Sequence, residues 1–230
     1  MRLDRFICKS TTYSRHEARA IILEKRVEVN GSVDVHEAYQ VHENNRITLD
    51  GQVLTPRASR YLMLHKPAGF LSSNVDGRYP SLFQHITIDD TDNLHIAGRL
   101  DRDTTGLVLI TDDGRWSFEI TSPETLCEKV YRVTLRDPID QTAIEQLEKG
   151  LRVPGMKNQT RPAKVKVLTP NEVLLTITEG KYHQVKRMFG AVRNKVVALH
   201  RQKIGELELD IEIGQWRYLT AEEVVSFHSK

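Results

Sequence analysis

The second half of the chain contains two long stretches in which apolar and polar side chains alternate. They are CEKVYRVTLRDP, residues 127–138, and AKVKVLTPNEVLLTITEG, residues 163–180, which is divided by a turn. Alternation with a period of two is typical of β-strands that bury one face. Strands that are joined by a short turn run antiparallel to each other. The two stretches therefore predict a sheet that is mostly antiparallel.

Further strands and helices surround these stretches without a regular alternation of strand and helix. The additional predicted strands are YLMLHKP, which Pro67 ends, GLVLITDD and NKVVALHRQKIG, at residues 61–67, 106–113 and 194–205. The predicted helices are 114–120, 141–149 after an Asp140 cap, 181–192, and 220–227, where Thr220 and Glu223 have capping-box spacing. The pattern indicates an α+β fold with a mixed, mostly antiparallel sheet flanked by helices.

The first 55 residues have the composition of a smaller, separate module. Apolar spacing predicts a helix over residues 3–9, and a second helix should begin after Ser14 and run to about Arg26. VEVNGSVDV and RITLDGQVL, residues 27–35 and 46–54, each place Asn-Gly or Asp-Gly between alternating residues, which predicts two hairpins.

The polar stretch TPRASR, residues 55–60, is typical of a linker. We therefore predict two domains, at residues 1–58 and 59–230. Hydrophobic residues make up 39% of the chain, which is enough for a sizeable core.

Basic residues are concentrated at one end of the chain. The whole protein has a formal net charge of +2, but residues 1–26 hold seven basic and three acidic side chains, a net charge of +4. Such a local excess suggests an anionic partner. Arg15, Arg19 and Arg26 recur at intervals that would place them on one helix face. From charge alone, an ordinary solvated helix face remains an alternative reading.

No apolar stretch approaches the roughly 18 residues that a membrane span needs. The opening MRLDRFICKS has neither the apolar core nor the small-residue cleavage site of a signal peptide. Cys8 and Cys127 are the only cysteines and cannot form a structural zinc site by themselves. We expect a cytoplasmic protein that has no association with a membrane and keeps both thiols reduced.

Four acids are clustered in AGRLDRDTTGLVLITDDG, residues 97–114. Asp101, Asp103 and Thr105 match the D-x-D-x-T pattern of haloacid-dehalogenase phosphatases. In those enzymes the first aspartate is the nucleophile and follows a buried apolar strand. Here the segment before Asp101 is LHIAGRL, which is polar and interrupted by glycine. A metal site is disfavoured because the spacing of the acids makes no cage of ligands. Ordinary turn chemistry accounts for Asp103, Asp112 and Asp113.

The string around Asp101 resembles the catalytic motif of RNA pseudouridine synthases, A-G-R-L-D-x-D-T-x-G-L-L/V-L-x-T. Lys129-Val-Tyr131 resembles the K-x-Y motif of that family, and EGKYHQVKRM, residues 179–188, resembles its G-x-x-H-Q-hydrophobic-R/K motif. RLDRFI and SRHEARAIILEKRVEVNG resemble the S4 RNA-binding domain over about residues 1–50, although Arg26 stands where that domain often has glycine. The match is closest to the branch that acts on small-subunit ribosomal RNA.

The resemblance implies an S4-type α/β RNA-binding module followed by a pseudouridine synthase fold. It implies isomerisation of one uridine of 16S ribosomal RNA to pseudouridine, with no cofactor and no metal. The partner would be 16S rRNA or a small-subunit assembly intermediate, and the protein a monomer. A large-subunit (23S) target, or a catalytically silent S4-type RNA-binding protein, remains an alternative.

The resemblance also implies roles for individual residues. Asp101 would act as nucleophile or stabiliser at the sugar, and Lys186 would be the cation that keeps it charged, with Arg187 as the reserve candidate. Tyr131 would stack on the uracil and is a candidate for removing the C5 proton. We interpret His183, Gln184 and His65 as structural. The predicted RNA-binding residues are Arg99, Arg187, Arg2, Arg5, Arg15, Arg19 and Arg26.

Overall fold

The computed structural model describes residues 1–88 and 91–227. The chain divides into two compact units, of which the first comprises Met1–Ser59 together with residues 91–93, and the second comprises Arg60–Ile88 and the described residues from Leu94 onward. Each unit has its own hydrophobic core. Within the described ranges, no helix is both long and apolar enough to cross a membrane.

The first unit consists of two helices and a small antiparallel sheet. Its elements are α1 (Leu3–Ser10), α2 (Arg15–Leu23), β1 (Val27–Val29), β2 (Ile47–Leu49) and β3 (Gln52–Val53), and the strand order is β1-β2-β3. Ser14 and Glu17 form the predicted capping box at the start of α2. The core is made by apolar residues of both helices, among them Leu3, Ile7, Ile21 and Ile22, with Val27 and Ile47 of the sheet.

One of the two predicted hairpins forms and the other does not. Asp50 and Gly51 both have positive φ, as a type I′ turn requires, and they join β2 to β3. Asn30 and Gly31 also have positive φ, but the chain beyond them makes only the single bridge between Val29 and Ser32. The predicted strand at 33–35 is wrong, because β1 takes β2 as its partner instead.

Helix α2 ends at Leu23, before its predicted end at Arg26. Lys25 has a φ of 59°, in the left-handed region that ends helices. Arg26 therefore lies beyond the helix and donates hydrogen bonds to the carboxylate of Asp50 at 3.0 and 2.6 Å. The prediction that Arg26 shares a helix face with Arg15 and Arg19 is wrong.

The second unit is built on a large mixed sheet. Its strands are β4 (Tyr61–Lys66), β5 (His95–Ala97), β6 (Thr105–Thr111), β7 (Lys129–Leu135), β8 (Lys164–Thr169), β9 (Glu172–Ile177), β10 (Val196–Ile204), β11 (Leu207–Glu208) and β12 (Trp216–Tyr218). Its α-helices are α3 (Gly114–Thr121), α4 (Gln141–Lys149), α5 (Gln184–Ala191) and α6 (Ala221–Val225). Short 3₁₀ turns lie at Leu82–His85 and Pro123–Thr125.

The main strand order is β12-β4-β6-β10-β7-β9-β8, with β5 on β6 and β11 on β10. Among the named strands of the described residues, only β6 and β10 pair in parallel, and an isolated bridge between Leu71 and Ser81 is also parallel. The predicted α+β class and mostly antiparallel sheet are therefore confirmed. Helix α5 begins at Gln184 instead of residue 181, since His183 has a φ of 50° and interrupts the helical backbone.

The central strands bury both of their faces. On one face, Leu62 and Val108 pack in the cluster that also holds Met188 and Phe189 of α5. On the other face, Leu109 and its neighbours pack against Trp116 and Ile120 of α3. Because side chains alternate along a strand, one run of apolar residues in β6 supplies both clusters. The helix α5, which carries one of the motifs, is thereby fixed against the sheet.

Strands β6 and β10 approach each other unusually closely at Gly106. Its φ is +112°, and a Cβ atom built there would lie 2.2 Å from the carbonyl oxygen of Arg201. Only glycine accommodates both this backbone conformation and this approach. The close approach brings Arg201 next to the segment that leads from β5 to β6, which is the segment that contains Asp101.

Candidate active site

The predicted catalytic residues of the second unit meet at one cavity of about 920 Å³. Its wall is formed by the β5–β6 connection, by β7 and β10, and by the segment that enters α5. Its lining includes Arg99, Asp101, Tyr131, His183, Lys186 and Arg201. Arg187 does not belong to this lining.

Asp101 and Lys186 form an ion pair at the wall of the cavity. The Lys186 ammonium nitrogen lies 3.2 Å from Asp101 Oδ2 and donates a hydrogen bond of 2.6 Å to Asp103 Oδ1. Burial acts to lower the pKa of Lys186, but the two carboxylates outweigh burial and raise it. The hydrogen bond from Lys186 lowers the pKa of Asp103. The site therefore combines two carboxylates with one shared ammonium.

The helical geometry of α5 decides which basic residue faces Asp101. Neighbouring residues on a helix point about 100° apart, so Lys186 and Arg187 cannot both face it. Arg187 instead donates to the carbonyl oxygens of Tyr182, at 3.4 Å, and Pro154, at 2.5 Å. Lys186, and not the reserve candidate Arg187, is the cation beside Asp101.

Tyr131 lies on β7 and is only 7% exposed, with its side chain against the cavity. It stands opposite Arg201 in the β7–β10 ladder. The Arg201 guanidinium donates a hydrogen bond of 3.3 Å to the Tyr131 hydroxyl. The ring is thereby fixed as part of the wall by a neighbour that the sequence interpretation did not identify.

Arg201 connects three parts of the site and is 1% exposed. Besides Tyr131, it donates to the carbonyl oxygen of Leu107 in β6 at 2.8 Å and to that of Gly98 at 2.6 Å. Arginine is almost never fully buried unless its charge is compensated. Arg201 lies two residues after Leu199 in the predicted strand 194–205 and therefore on the same strand face, which was the available signal and was not used.

Two buried lysines support the same region. Lys66 donates to the carbonyl oxygens of Arg102 at 3.1 Å and Thr104 at 2.8 Å, on the β6 side of Asp101. Burial lowers the pKa of Lys66 to about 8, although Asp103 and Asp101 act in the opposite direction. Lys129 donates to Ile120 O and Cys127 O, and burial also lowers the pKa of Lys129. Neither lysine was assigned a role from the sequence.

The backbone before Asp101 is held from the other side. Ser72 Oγ donates to the carbonyl oxygen of Leu100 at 2.7 Å and accepts from its amide at 3.1 Å. Together with the contacts of Lys66 and of Arg201, this fixes the backbone on both sides of Asp101. A carboxylate on such a rigid segment keeps one orientation toward the cavity.

His183 lies close to Asp101 at the wall of the cavity. Its Nε2 atom is 3.4 Å from Asp101 Oδ1, and its ring is stacked on that of Tyr182. Gln184, in contrast, is buried and bonds Glu179 Oε1 at 2.6 Å and the amide of Lys181 at 2.9 Å. The sequence interpretation, which treated His183 as structural, did not place it at the carboxylate.

The remaining clustered acids have structural contacts. Asp112 is buried and accepts two hydrogen bonds of 3.0 Å from Arg60. Asp113 caps α3 by accepting from the amides of Arg115 and Trp116. These two acids act at a turn and a helix start, as predicted, whereas Asp103 is bonded to Lys186. His65 bonds the carbonyl oxygen of Ile211 at 2.8 Å, which is a structural contact.

Three of the five arginines predicted to bind RNA in the first unit surround a buried acid. Asp4 is fully buried, and Arg2 and Arg15 each bond it at 3.0 Å, while Arg19 lies 3.8 Å away. Burial acts to raise the pKa of Asp4, but Arg2 and Arg15 outweigh it and lower the pKa. The three guanidinium groups therefore converge on one place, and Arg5 is exposed nearby in sequence.

Within residues 1–88 and 91–227, no three His, Cys, Asp or Glu side chains are grouped so as to hold a metal ion. A partly exposed carboxylate beside an ammonium can attack or stabilise an electron-poor carbon. A fixed aromatic wall can hold a planar ring next to it.

Comparison with known proteins assigns this arrangement to a family. Residues 60–191 match the family model of RNA pseudouridylate synthases, and residues 1–47 match that of the S4 domain. Ribosomal small subunit pseudouridine synthase A of Pasteurella multocida (strain Pm70) is 47% identical over 231 residues, which cover 99% of this chain and 100% of that protein. The protein of the same name from Escherichia coli (strain K12) is 45% identical over 229 residues, covering 98% and 99%.

A solved structure agrees with the sequence relatives. A crystal structure of a pseudouridylate synthase superposes with a TM-score of 0.73 at 44% identity and covers 99% of both chains. The motifs that meet at the cavity lie inside or directly beyond the matched residues 60–191. The chain therefore belongs to the RNA pseudouridylate synthase family, and it is an isomerase with an S4 domain in front of its catalytic unit.

Proposed function

We propose that this protein isomerises a specific uridine of small-subunit (16S) ribosomal RNA to pseudouridine, with Asp101 as the reacting carboxylate. The target is inferred from relatives that are named for the small ribosomal subunit and match nearly the whole chain. The single observation that carries the role of Asp101 is its ion pair with Lys186 at the wall of the cavity.

The reaction needs few protein groups. The N1–C1′ bond of uridine breaks, a C5–C1′ bond forms, and the C5 proton is lost while N1 gains one. No water is added and no electrons are gained or lost, so the chemistry requires neither an oxidant nor a second carboxylate of the kind that glycosidases use. One ionised carboxylate can act at the sugar or the ring.

The side chains around the cavity fit this chemistry. The Lys186 ammonium lies 3.2 Å from Asp101 Oδ2 and supplies the opposite charge beside that carboxylate. Tyr131 supplies the aromatic surface on which the uracil stacks. Arg99, exposed at the cavity, is placed to hold a phosphate of the bound strand. The uridine must leave the RNA stack to reach Asp101, which costs a few kcal/mol.

The first unit supplies affinity for RNA. Arg2, Arg15 and Arg19 converge at Asp4, and these cations can neutralise backbone phosphates. Arg5, Arg26 and Arg187 are further phosphate contacts in this proposal. We propose that the enzyme acts as a monomer in the cytoplasm, on 16S rRNA or a small-subunit assembly intermediate.

The test is Asp101→Asn, which keeps the size of the side chain and removes its charge. Tritium release from C5-labelled uridine in 16S rRNA should fall to background, while the RNA dissociation constant in a filter-binding titration changes less than about threefold. This is the signature of an interaction made only in the reaction. Asp103→Asn is the matched control, because Asp103 shares Lys186 and is largely exposed. It should retain turnover within about tenfold.

Turnover by Asp101→Asn near the wild-type rate would refute the assignment of the carboxylate. Pseudouridine mapping in cells that lack the protein tests the target independently, and loss of a 23S instead of a 16S site would move the substrate to the large subunit. Tight RNA binding by the wild type without any tritium release from either RNA would support a silent RNA-binding protein.

A further inference from the structure

Tyr182 is a large aromatic side chain at the cavity that remains 76% exposed. It belongs to the short segment between β9 and α5, one residue before His183. Tyrosine usually buries its ring and keeps only its hydroxyl in contact with water. The exposure of this ring is therefore not explained by packing within the second unit.

The ring is nevertheless held in a defined place. It is stacked on the His183 ring, with centroids 3.8 Å apart and planes inclined by 19°. Arg187 donates to the carbonyl oxygen of Tyr182, and Gln184 accepts from the amide of Lys181 just before it. One face of the tyrosine is thus covered by histidine, and the exposure of the residue leaves the other face open.

The position of the stack relative to the reacting carboxylate is fixed as well. His183 Nε2 lies 3.4 Å from Asp101 Oδ1, so Asp101 lies at the edge of the His183 ring while Tyr182 covers one face of that ring. The proposed function stacks the target uracil on Tyr131, so a base on the open face of Tyr182 belongs to a different nucleotide at the same cavity.

We infer that Tyr182 is a stacking platform for an unpaired nucleobase adjacent to the target uridine, and that it helps to select the local RNA structure. The inference rests on the proposed function, since it assumes that a uridine reaches Asp101. When the uridine leaves its stack, a neighbouring base loses its partner, and an exposed aromatic ring can replace that partner. The ligand class is a single-stranded nucleobase, with little preference for its identity, because every base has a π face.

The inference is tested with Tyr182→Ala and Tyr182→Phe on a short 16S rRNA fragment that contains the target uridine. Loss of one base–aromatic stack corresponds to about a 5- to 150-fold decrease in kcat/KM. We expect that decrease for Tyr182→Ala and nearly full activity for Tyr182→Phe, which keeps the ring. Tyr218→Ala is the matched control, because Tyr218 is 50% exposed on β12 and does not line the cavity.

A double cycle with the RNA identifies the stacked base. An abasic residue is placed in turn on the 5′ and the 3′ side of the target uridine. At one of the two positions, removal of the base should lower kcat/KM of the wild type by the same factor as the Tyr182→Ala substitution does. At that position, removal of the base should not lower kcat/KM of the Tyr182→Ala variant any further. Additive losses at both positions, or equal effects of Tyr182→Ala and Tyr218→Ala, would overturn the inference.

A binding measurement separates this inference from the proposed function. 2-Aminopurine, a fluorescent base analogue, is placed at the position that the double cycle identifies, or on each side of the target uridine in turn. Binding of the wild type or of Tyr182→Phe should quench its fluorescence, whereas binding of Tyr182→Ala should not. If the wild type releases no tritium and yet shows this pattern, the proposed function fails and the platform stands. Normal turnover with the same quenching in all three proteins would refute the stacking role of Tyr182 and leave the proposed function intact.

Discussion

Arg201 should contribute more to the stability of the catalytic unit than any exposed arginine does. In Arg201→Met, three hydrogen bonds from a buried guanidinium disappear, and the carbonyl oxygens of Leu107 and Gly98 lose these donors. Each bond from a charged group contributes about 1.5–3 kcal/mol, and each buried group left without a partner costs about 1–3 kcal/mol. Removing the buried charge itself offsets part of this loss, so we expect a net destabilisation of about 3–5 kcal/mol.

Urea unfolding followed by tryptophan fluorescence measures this effect in the catalytic unit alone. The chain has two tryptophans, Trp116 and Trp216, and both belong to the second unit. The signal is therefore not affected by separate unfolding of the S4 unit. Arg132→Met is the matched control on β7, because the solvent-screened pair of Arg132 with Glu172 should contribute little to the free energy of unfolding.

Equal losses of the free energy of unfolding in Arg201→Met and Arg132→Met would contradict this prediction. Such a result would mean that water, or a rearranged side chain, replaces the guanidinium at no cost. Arg201→Lys provides a further check, since a single ammonium cannot reproduce the planar fork that spans Gly98, Leu107 and Tyr131. It should fall between the wild type and Arg201→Met.

Two further predictions concern Lys186 and Gly106. Lys186→Met should lower tritium release by about 10²–10³-fold with less than a threefold change in RNA affinity. Lys195→Met is the control, because Lys195 is exposed and does not line the cavity, and it should match the wild type. Wild-type turnover in Lys186→Met would remove the lysine from the mechanism. Gly106→Ala should cost at least about 3 kcal/mol in urea unfolding, because its Cβ would lie 2.2 Å from Arg201 O at a φ of +112°. Gly190→Ala, which meets no atom within 4 Å in α5, should be neutral or stabilise by up to about 1 kcal/mol. Equal stabilities of the two glycine variants would contradict the close approach of β6 and β10.

The parts of the fold that follow from short-range rules were predictable from the sequence. The alternation in 127–138 and 163–180 became β7, β8 and β9, and Thr220 with Glu223 caps α6 as the spacing predicted. The Asp50-Gly51 turn formed its hairpin for the same reason, since the turn and both strands lie within nine residues. Local patterning is sufficient where the partners are neighbours in the chain.

Pairings between distant segments were not predictable in this way. Val29 pairs with Ile47 and not with the nearby residues 33–35, so the predicted first hairpin failed although its turn is present. His183 reaches Asp101 because a left-handed backbone at residue 183 turns its side chain toward the cavity. No periodicity in the sequence predicts a single residue in that conformation, which is uncommon outside glycine.

The buried cations show most clearly why a local reading of the sequence is incomplete. Lys66, Lys129 and Arg201 are each at most 4% exposed, and each donates to backbone carbonyl oxygens around the cavity. A lysine is normally expected at the surface, and burying its charge is costly unless other groups compensate. Here burial is the main cause that lowers the pKa of both lysines and Arg201 acts in the same direction, while Asp103 and then Asp101 act to raise the pKa of Lys66. Asp101 is thus a counter-charge for the scaffold as well as the proposed reacting group. The cations hold the backbone of the site in place and favour negative charge in the cavity. Both effects depend on contacts between residues that are far apart in the sequence, which local sequence patterns do not reveal.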